Sequence, residues 1–279
     1  MGAGAPMKLF QYKDVTVRYL SAGGVESCYI LPEQKIAFDM GRGPFELVDI
    51  PNVFLSHGHL DHAAGIAYYF SQRSLRGLDP GTVYVPKDAV KPLKKICRQW
   101  QKIEGFGYKI NVLPHKPGKR ISIGNGYSVL ALEAYHRISA NGYIIYKKTK
   151  KLKPELRGLP GDAIKKLKDE GKEIEVYEDR PLFAYSGDTT VEFLTGHPDV
   201  RKARVLFMEC TYIDEERSVE RARKWGHTHL DEILDLADEL ENEKVVLVHL
   251  SRRYDKEYIK QILSEKVPKH CKEKIVYDR

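Results

Sequence analysis

Apolar and polar residues change places in short blocks along most of the chain, with turn residues between the blocks. Residues 15–20 (Val-Thr-Val-Arg-Tyr-Leu) alternate with period two, and 27–31 and 35–38 are mostly apolar. Gly23-Gly24 and Pro32-Glu33 supply the turns, so this region predicts successive strands. Val53-Phe54-Leu55 predicts a buried strand, 82–86 a short one and 121–126 a hairpin. Further strands are predicted at 127–134, 182–186 and 245–248. Helical spacing marks 63–75, through Ile66, Tyr69, Phe70 and Leu75, and 91–103, whose lysines read as a solvated face. It also marks 228–240, with Leu230, Ile233, Leu234, Ala237 and Leu240 on one side and Thr228 with Asp231 as a capping pair. No repeat of solenoid length and no Pro- or Ser-rich linker divides the chain. The expectation is a single domain over residues 8–279. Residues 1–7 read as an added remnant or disordered.

The densest chemistry follows the strand at 53–55. Ser56-His57-Gly58-His59-Leu60-Asp61-His62 sets three imidazoles and a carboxylate in a turn at a strand's carboxyl end. Imidazole nitrogen and carboxylate oxygen suit zinc and related divalent ions, and burying such a cluster without a metal is costly. His57-x-His59-x-Asp61-His62 resembles the signature of the metallo-β-lactamase superfamily. That resemblance implies an α/β fold, the four-layered αββα metallo-β-lactamase sandwich, with a metal site at one edge. Asp39, just before Met40-Gly41, is enough to start a turn by itself; the resemblance adds a role in holding the metal-binding loops. Three more predicted strands run into ligand-type residues: His136, Asp188 and His249. This inventory holds one ion with His57, His59 and His136 and a second with Asp61, His62 and His249. Asp188, with two carboxylate oxygens, bridges them. Two-metal sites of this kind recur in phosphodiester hydrolysis.

Composition narrows the setting. At 279 residues and 42% hydrophobic, the chain can bury a sizeable core. No apolar run approaches the ~18 residues of a membrane span, and no secretory signal opens the chain, so no membrane partner is expected. Pro6 stands where a myristoylation motif needs Ser or Thr. Cys28, Cys97, Cys210 and Cys271 are scattered. They fit reduced thiols in an intracellular protein, cytoplasmic or alternatively nuclear. The net charge of +7 suggests an acidic partner.

Five further passages specify a branch: His136-Arg-Ile-Ser-Ala-Asn-Gly-Tyr143, Ser186-Gly-Asp-Thr-Thr190, Met208-Glu-Cys-Thr-Tyr-Ile-Asp214, Trp225-Gly-His-Thr-His229 and His249-Leu-Ser-Arg-Arg-Tyr254. In this order they resemble the short form of tRNase Z (ribonuclease Z), closest to the plant enzymes. The resemblance implies a zinc-dependent endoribonuclease that removes the 3′ trailer from precursor tRNA. It implies two Zn2+ per chain, with Mn2+ or another divalent ion as alternative, and a homodimer in which one subunit holds the tRNA for the other. Asp61 is expected to orient and deprotonate the nucleophile, and His227 to protonate the leaving 3′-oxygen. His227 precedes a predicted helix, where an anion is favoured and imidazolium is not, so it needs a carboxylate partner. The family position matching Glu209 supplies one. His229 reads as an ordinary first-turn residue.

Between His136 and Asp188, where bacterial relatives carry a tRNA-gripping arm, lies a basic arm-like insertion at about 147–175. Residues 147–172 hold ten Lys/Arg against four acids, a net of +6 in a chain of +7. Its placement is expected on the same side of the fold as the site. Lys147, Lys148, Lys150, Lys151 and Arg252 are the expected substrate-binding residues. Other readings of the same residues are a broader phosphodiesterase or nucleic-acid hydrolase of the superfamily, and a non-catalytic RNA-binding subunit.

Overall fold

The computed structural model describes residues 6–277. Of the stretch read as a remnant, residues 1–5 lie outside the described residues, and Met7 packs against the core. The first sheet contains β1 (Lys8–Tyr12), β2 (Val15–Ala22), β3 (Glu26–Leu31), β4 (Ile36–Phe38), β5 (Asn52–Phe54), β6 (Thr82–Val85) and β7 (Val112–Pro114), neighbours in that order. The second contains β8 (Arg120–Gly124), β9 (Tyr127–Ala134), β10 (Ala140–Leu152), β11 (Glu175–Tyr185), β12 (Val205–Glu209), β13 (Lys244–Val248) and β14 (Ile275–Tyr277), likewise in order. Each sheet begins with antiparallel pairs and ends with parallel ones.

The helices are α1 (Leu60–Ala63), α2 (Ile66–Leu75), α3 (Val90–Glu104), α4 (Gly161–Asp169), α5 (Glu192–Gly196), α6 (Pro198–Lys202), α7 (Val219–Lys224), α8 (Leu230–Asp235) and α9 (Lys256–Lys266). Strand side chains alternate between faces, and the central strands are apolar on both. Three cores result. Tyr19, Tyr29, Phe38 and Phe54 of the first sheet meet Tyr143, Phe183, Tyr185 and Phe207 of the second between the sheets. Cys28, Ile30, Val53 and Val83 face the other way, onto Ile66, Phe70 and Leu93. Leu206, Met208 and Leu247 face Phe193, Ile233 and Ile259. Helix, sheet, sheet and helix stack as the expected αββα sandwich.

Three local expectations are corrected. The ligand run is not all turn, and its following helix is broken: Asp61 and His62 lie on the one-turn α1, and α2 starts only at Ile66. The segment expected to be helical over 228–240 forms only α8. His229 is its N-cap in place of Thr228: its Nδ1 accepts from the Asp231 N–H at 3.1 Å, and Glu232 accepts from the His229 N–H at 3.1 Å. The third correction concerns the basic segment. β10 leaves the site at Ala140 and runs away from it, paired through Lys147↔Arg180 and Leu152↔Glu175. At 3.3 Å per residue, Leu152 is roughly 40 Å along the strand from Ala140. The arm therefore projects from the edge opposite the site.

Candidate metal centre

The site lies where strands of both sheets end. The turn after β5 carries His57 and His59, and α1 carries Asp61 and His62. From the second sheet come His136 after β9, Asp188 after β11, Glu209 at the end of β12 and His249 after β13. Two positions accept backbone strain: Asp39 (φ 54°) and His249 (φ 59°) occupy the left-handed region, uncommon outside glycine.

The donor atoms converge in two sets. His57 Nε2 lies 2.9 Å from His59 Nδ1, which is 3.4 Å from His136 Nε2. His57 Nε2 is also 3.7 Å from Asp188 Oδ2. In the second set, Asp61 Oδ2 is 3.4 Å from both His62 Nε2 and His249 Nε2. Asp188 Oδ1 is 3.4 Å from His62 Nε2 and 3.5 Å from His249 Nε2. Donors about 2.0–2.1 Å from a tetrahedral ion stand roughly 3.3–3.4 Å apart, the spacing of the second set. Buried His62 Nε2 and Asp188 Oδ1 have no hydrogen-bond partner, an expensive arrangement unless a cation completes them. The residues thus fit divalent metal binding, with one oxygen of Asp188 beside each set.

The far side of most of these imidazoles is held. His62 Nδ1 is 2.7 Å from Asp39 Oδ2, and His136 Nδ1 donates to the Gly226 carbonyl at 2.7 Å. His57 Nδ1 is 2.9 Å from Ser56 Oγ, and His249 Nδ1 is 3.0 Å from Thr211 Oγ1. Such partners fix ring orientation and leave the other nitrogen free for a ligand bond. Asp39 also accepts from the Ser56 N–H, the Ser56 hydroxyl and the Tyr185 hydroxyl. Gly226 (φ 72°) permits the close approach, since a Cβ there would sit 2.7 Å from His136 Nδ1.

Charge follows the same plan. Burial alone would raise the Asp188 carboxyl, but the His249 and His62 imidazoles hold it well below the usual range. Burial would raise Asp61 as well, but the His249 and His62 imidazoles beside its carboxylate lower it. His57 is pushed down, chiefly by burial, and presents a neutral ring. Burial pulls His62 down too, but Asp188 and Asp39 raise it well above the usual imidazole value. So much negative potential around a histidine suits a cation.

Beside the two sets stands His227, with Nδ1 2.9 Å from Glu209 Oε1. Burial lowers the His227 pKa, but Glu209 outweighs it and lifts it to about 9. The Glu209 carboxylate also accepts from the N–H groups of Thr189, Thr211 and Thr228 and from the Thr211 hydroxyl. His227 and His249 line a groove of about 280 Å³ with Arg252 and Arg253. The site unites every expected ligand with His227 and Glu209, and sets Arg252 at its rim. It does not include Lys147, Lys148, Lys150 or Lys151, which lie on the far half of β10.

No protein-family model matches the chain. It is 36% identical over 263 residues to tRNase Z TRZ1 of Arabidopsis thaliana, across 94% of each chain. It is 34% identical over 264 residues to chloroplastic tRNase Z TRZ2 of the same plant, covering 93% of this chain and 74% of that one. The chain belongs to the tRNase Z family. Solved structures similar in fold include human short-form tRNase Z, with TM-score 0.60 at 16% identity over 94% and 96% of the two chains. Another is the metallo-β-lactamase-fold protein YhfI of Bacillus subtilis, with TM-score 0.62 at 15% identity over 93% of each.

In this tRNase Z, sequence reasoning missed the polar groups behind the ligands. Ser56 and Tyr185 converge on Asp39, while Thr211 links Glu209 to His249. Their only signal was adjacency: Ser56 directly precedes His57, and Thr211 lies two residues after Glu209. His229 is structural, as expected of a first-turn residue. Its Nε2 donates to the Asp214 carbonyl and its Nδ1 caps α8. The helix-terminus argument for an anion beside His227 fails, because α8 is one and a half turns long and Tyr212 O takes the Leu230 N–H.

Proposed function

We propose that this chain is a zinc-dependent endoribonuclease that removes the 3′ trailer from precursor tRNA. One observation carries the reading: two three-residue donor sets share Asp188, and the Glu209–His227 pair adjoins them in a tRNase Z family member. His57, His59 and His136 would hold one ion and Asp61, His62 and His249 the other. Divalent ions so held supply Lewis acidity, drawing charge from a phosphodiester and making water acidic enough to attack at neutral pH. Asp61 orients the attacking water and accepts its proton. His227, oriented and kept protonated by Glu209, faces the groove and donates its proton to the leaving 3′-oxygen. Arg252, exposed at the rim, contacts the RNA backbone.

The arm docks the body of the tRNA, with Lys147, Lys148, Lys150 and Lys151 on its stem and Lys165, Lys166 and Lys168 on α4 at its tip. Its distance from the site suits a homodimer in which the arm of one subunit serves the other. Exposed Tyr68 and Trp100, flanking a cavity of about 200 Å³ between α2 and α3, offer an apolar contact for that dimer. No helix among the described residues is long and apolar enough to cross a membrane, and all four cysteines are free and buried. The buried free thiols accord with a cytoplasmic or nuclear setting.

The test is incubation of the zinc-loaded protein with a precursor tRNA and sequencing of both product ends. A tRNA 3′-hydroxyl and a trailer 5′-phosphate are expected. Hydrolysis of small phosphodiesters with no cut in precursor tRNA would replace the reading with a broader phosphodiesterase.

A further inference from the structure

A dense run of unpaired positive charge among the described residues lies away from the arm, on and just before α3. Lys87, Lys91, Lys95, Arg98 and Lys102 are exposed, and Lys94 is half-buried. The four on α3 follow spacings of four, three and four, which places them on one face, opposite buried Leu93 and Cys97. Residues 87–102 hold six Lys/Arg and one acid, Asp88, a net of +5. None of the six pairs with a carboxylate among the described residues. The folded arm differs: over residues 147–180, eleven Lys/Arg face eight acids, a net of +3. Three of its four stem lysines are ion-paired, Lys147 with Asp14, Lys150 with Glu175 and Lys151 with Glu178.

The stripe is continuous with the site. β6 runs parallel to β5, so its carboxyl end and Lys87 lie at the edge where His57 emerges. Lys87 and Lys116 line a groove of about 490 Å³ together with Tyr135, His136 and Ser139. From there α3 carries the charges outward, roughly 16 Å from Lys91 to Lys102 at 1.5 Å per residue. Exposed aromatics stand close to the groove: Tyr135 in its wall, and Trp225 with the Arg137 guanidinium 4.6 Å above its ring. A basic track with stacking surfaces at its mouth is the pattern that binds single-stranded nucleic acid.

A polynucleotide cut internally leaves the centre in two directions. One groove contains His227, Arg252 and Arg253, and the other contains His136 and leads to α3. His227 gives its proton to the 3′-oxygen of the tRNA, so the tRNA end occupies the first. We infer that the groove beside His136 and the basic face of α3 bind the single-stranded 3′ trailer through its phosphates. The inference rests on the proposed function, and its test is separable from that reading.

The test combines the Lys91→Ala, Lys95→Ala and Arg98→Ala substitutions. Each replaces an exposed helical residue with the best helix former, so folding is retained, as circular dichroism would verify. Precursor tRNA with a long trailer is compared with one whose trailer ends inside the groove. For the long trailer KM should rise several-fold, and the slope of log affinity against log salt should fall by about 0.7 per lost contact, about 2 in all. The short-trailer substrate should be unaffected, and a Lys91→Arg, Lys95→Arg variant should match the parent. Equal losses on both substrates would assign the stripe to the tRNA body, and no change on either would leave it a solvated face. Either overturns the inference. Fluorescence anisotropy of a labelled trailer oligonucleotide on the parent and the triple variant reads the same contact without cleavage. If precursor tRNA is not cut at all, the proposed function fails while anisotropy still decides the stripe: weaker binding by the variant supports it, and equal binding overturns it.

Discussion

At the scale of single residues, the site divides into groups placed to meet an ion and groups that hold those groups in place. Asp61 Oδ2 faces both His62 and His249, so Asp61→Ala removes a donor and the proposed base together. Cleavage should fall to near background while circular dichroism stays native, since Asp61 is only partly buried. His227 also stands within reach of Asp188 and His249, but its Nδ1 is taken by Glu209. His227→Ala should keep the metal content of the parent and lose roughly 10²–10⁴ in kcat, the scale of a missing general acid. Release of metal, with normal turnover by the loaded fraction, would reverse that division of roles. Thr211 acts one step back, receiving His249 Nδ1 while bonding Glu209. Thr211→Val keeps the shape and deletes the hydroxyl, so affinity for the ion at Asp61, His62 and His249 should weaken by about 10–100-fold. Competition with a chromogenic chelator would show whether it does.

At the scale of elements, legibility depended on whether the cause was local. The runs at 53–55, 182–186 and 245–248 were readable because both faces of those strands are buried, leaving an unbroken apolar signal. The ligands were readable because each follows such a run. The end of the 228–240 helix was not, because Leu236, Ala237 and Leu240 pack against the core in successive turns with the spacing a helix would show. The side of the sheet from which the arm projects was also hidden: it depends on strand direction, and charge composition carries none. The return strand adds Glu175, Glu178 and Asp179, and Glu173 precedes it; together they offset much of the arm's basic charge. This sets an order among variants. Lys165, Lys166 and Lys168 on α4 pair with no carboxylate among the described residues, whereas most stem lysines are paired. Changing the three α4 lysines to Ala should flatten the salt dependence of precursor binding more than changing Lys147, Lys148, Lys150 and Lys151. Equal effects, or a larger effect from the stem, would place the contact on the ribbon.

At the scale of the whole molecule, the site is also a joint. His57, His59, Asp61 and His62 follow a strand of the first sheet, and His136, Asp188 and His249 follow strands of the second. Any ion held by both groups ties the two halves of the sandwich at one edge, where the carboxylates of Asp61 and Asp188 and the imidazoles of His57, His59, His62, His136 and His249 otherwise crowd together. The unfolded chain cannot assemble these donors from both sheets, so occupancy adds to folding stability by mass action. Free metal at about a thousand times its dissociation constant contributes about 4 kcal/mol. A domain near this size shifts its midpoint by roughly 2–4 °C per kcal/mol, so chelation should lower Tm by about 8–16 °C and zinc should restore it. His227→Ala should keep this metal-dependent shift, whereas His57→Ala, which removes a donor buried between the sheets' ends, should lose most of it. A parent protein whose melting is indifferent to chelator, with metal release confirmed by elemental analysis, would mean that the donor sets are pre-formed by the protein alone and that the sandwich edge needs no cation to close.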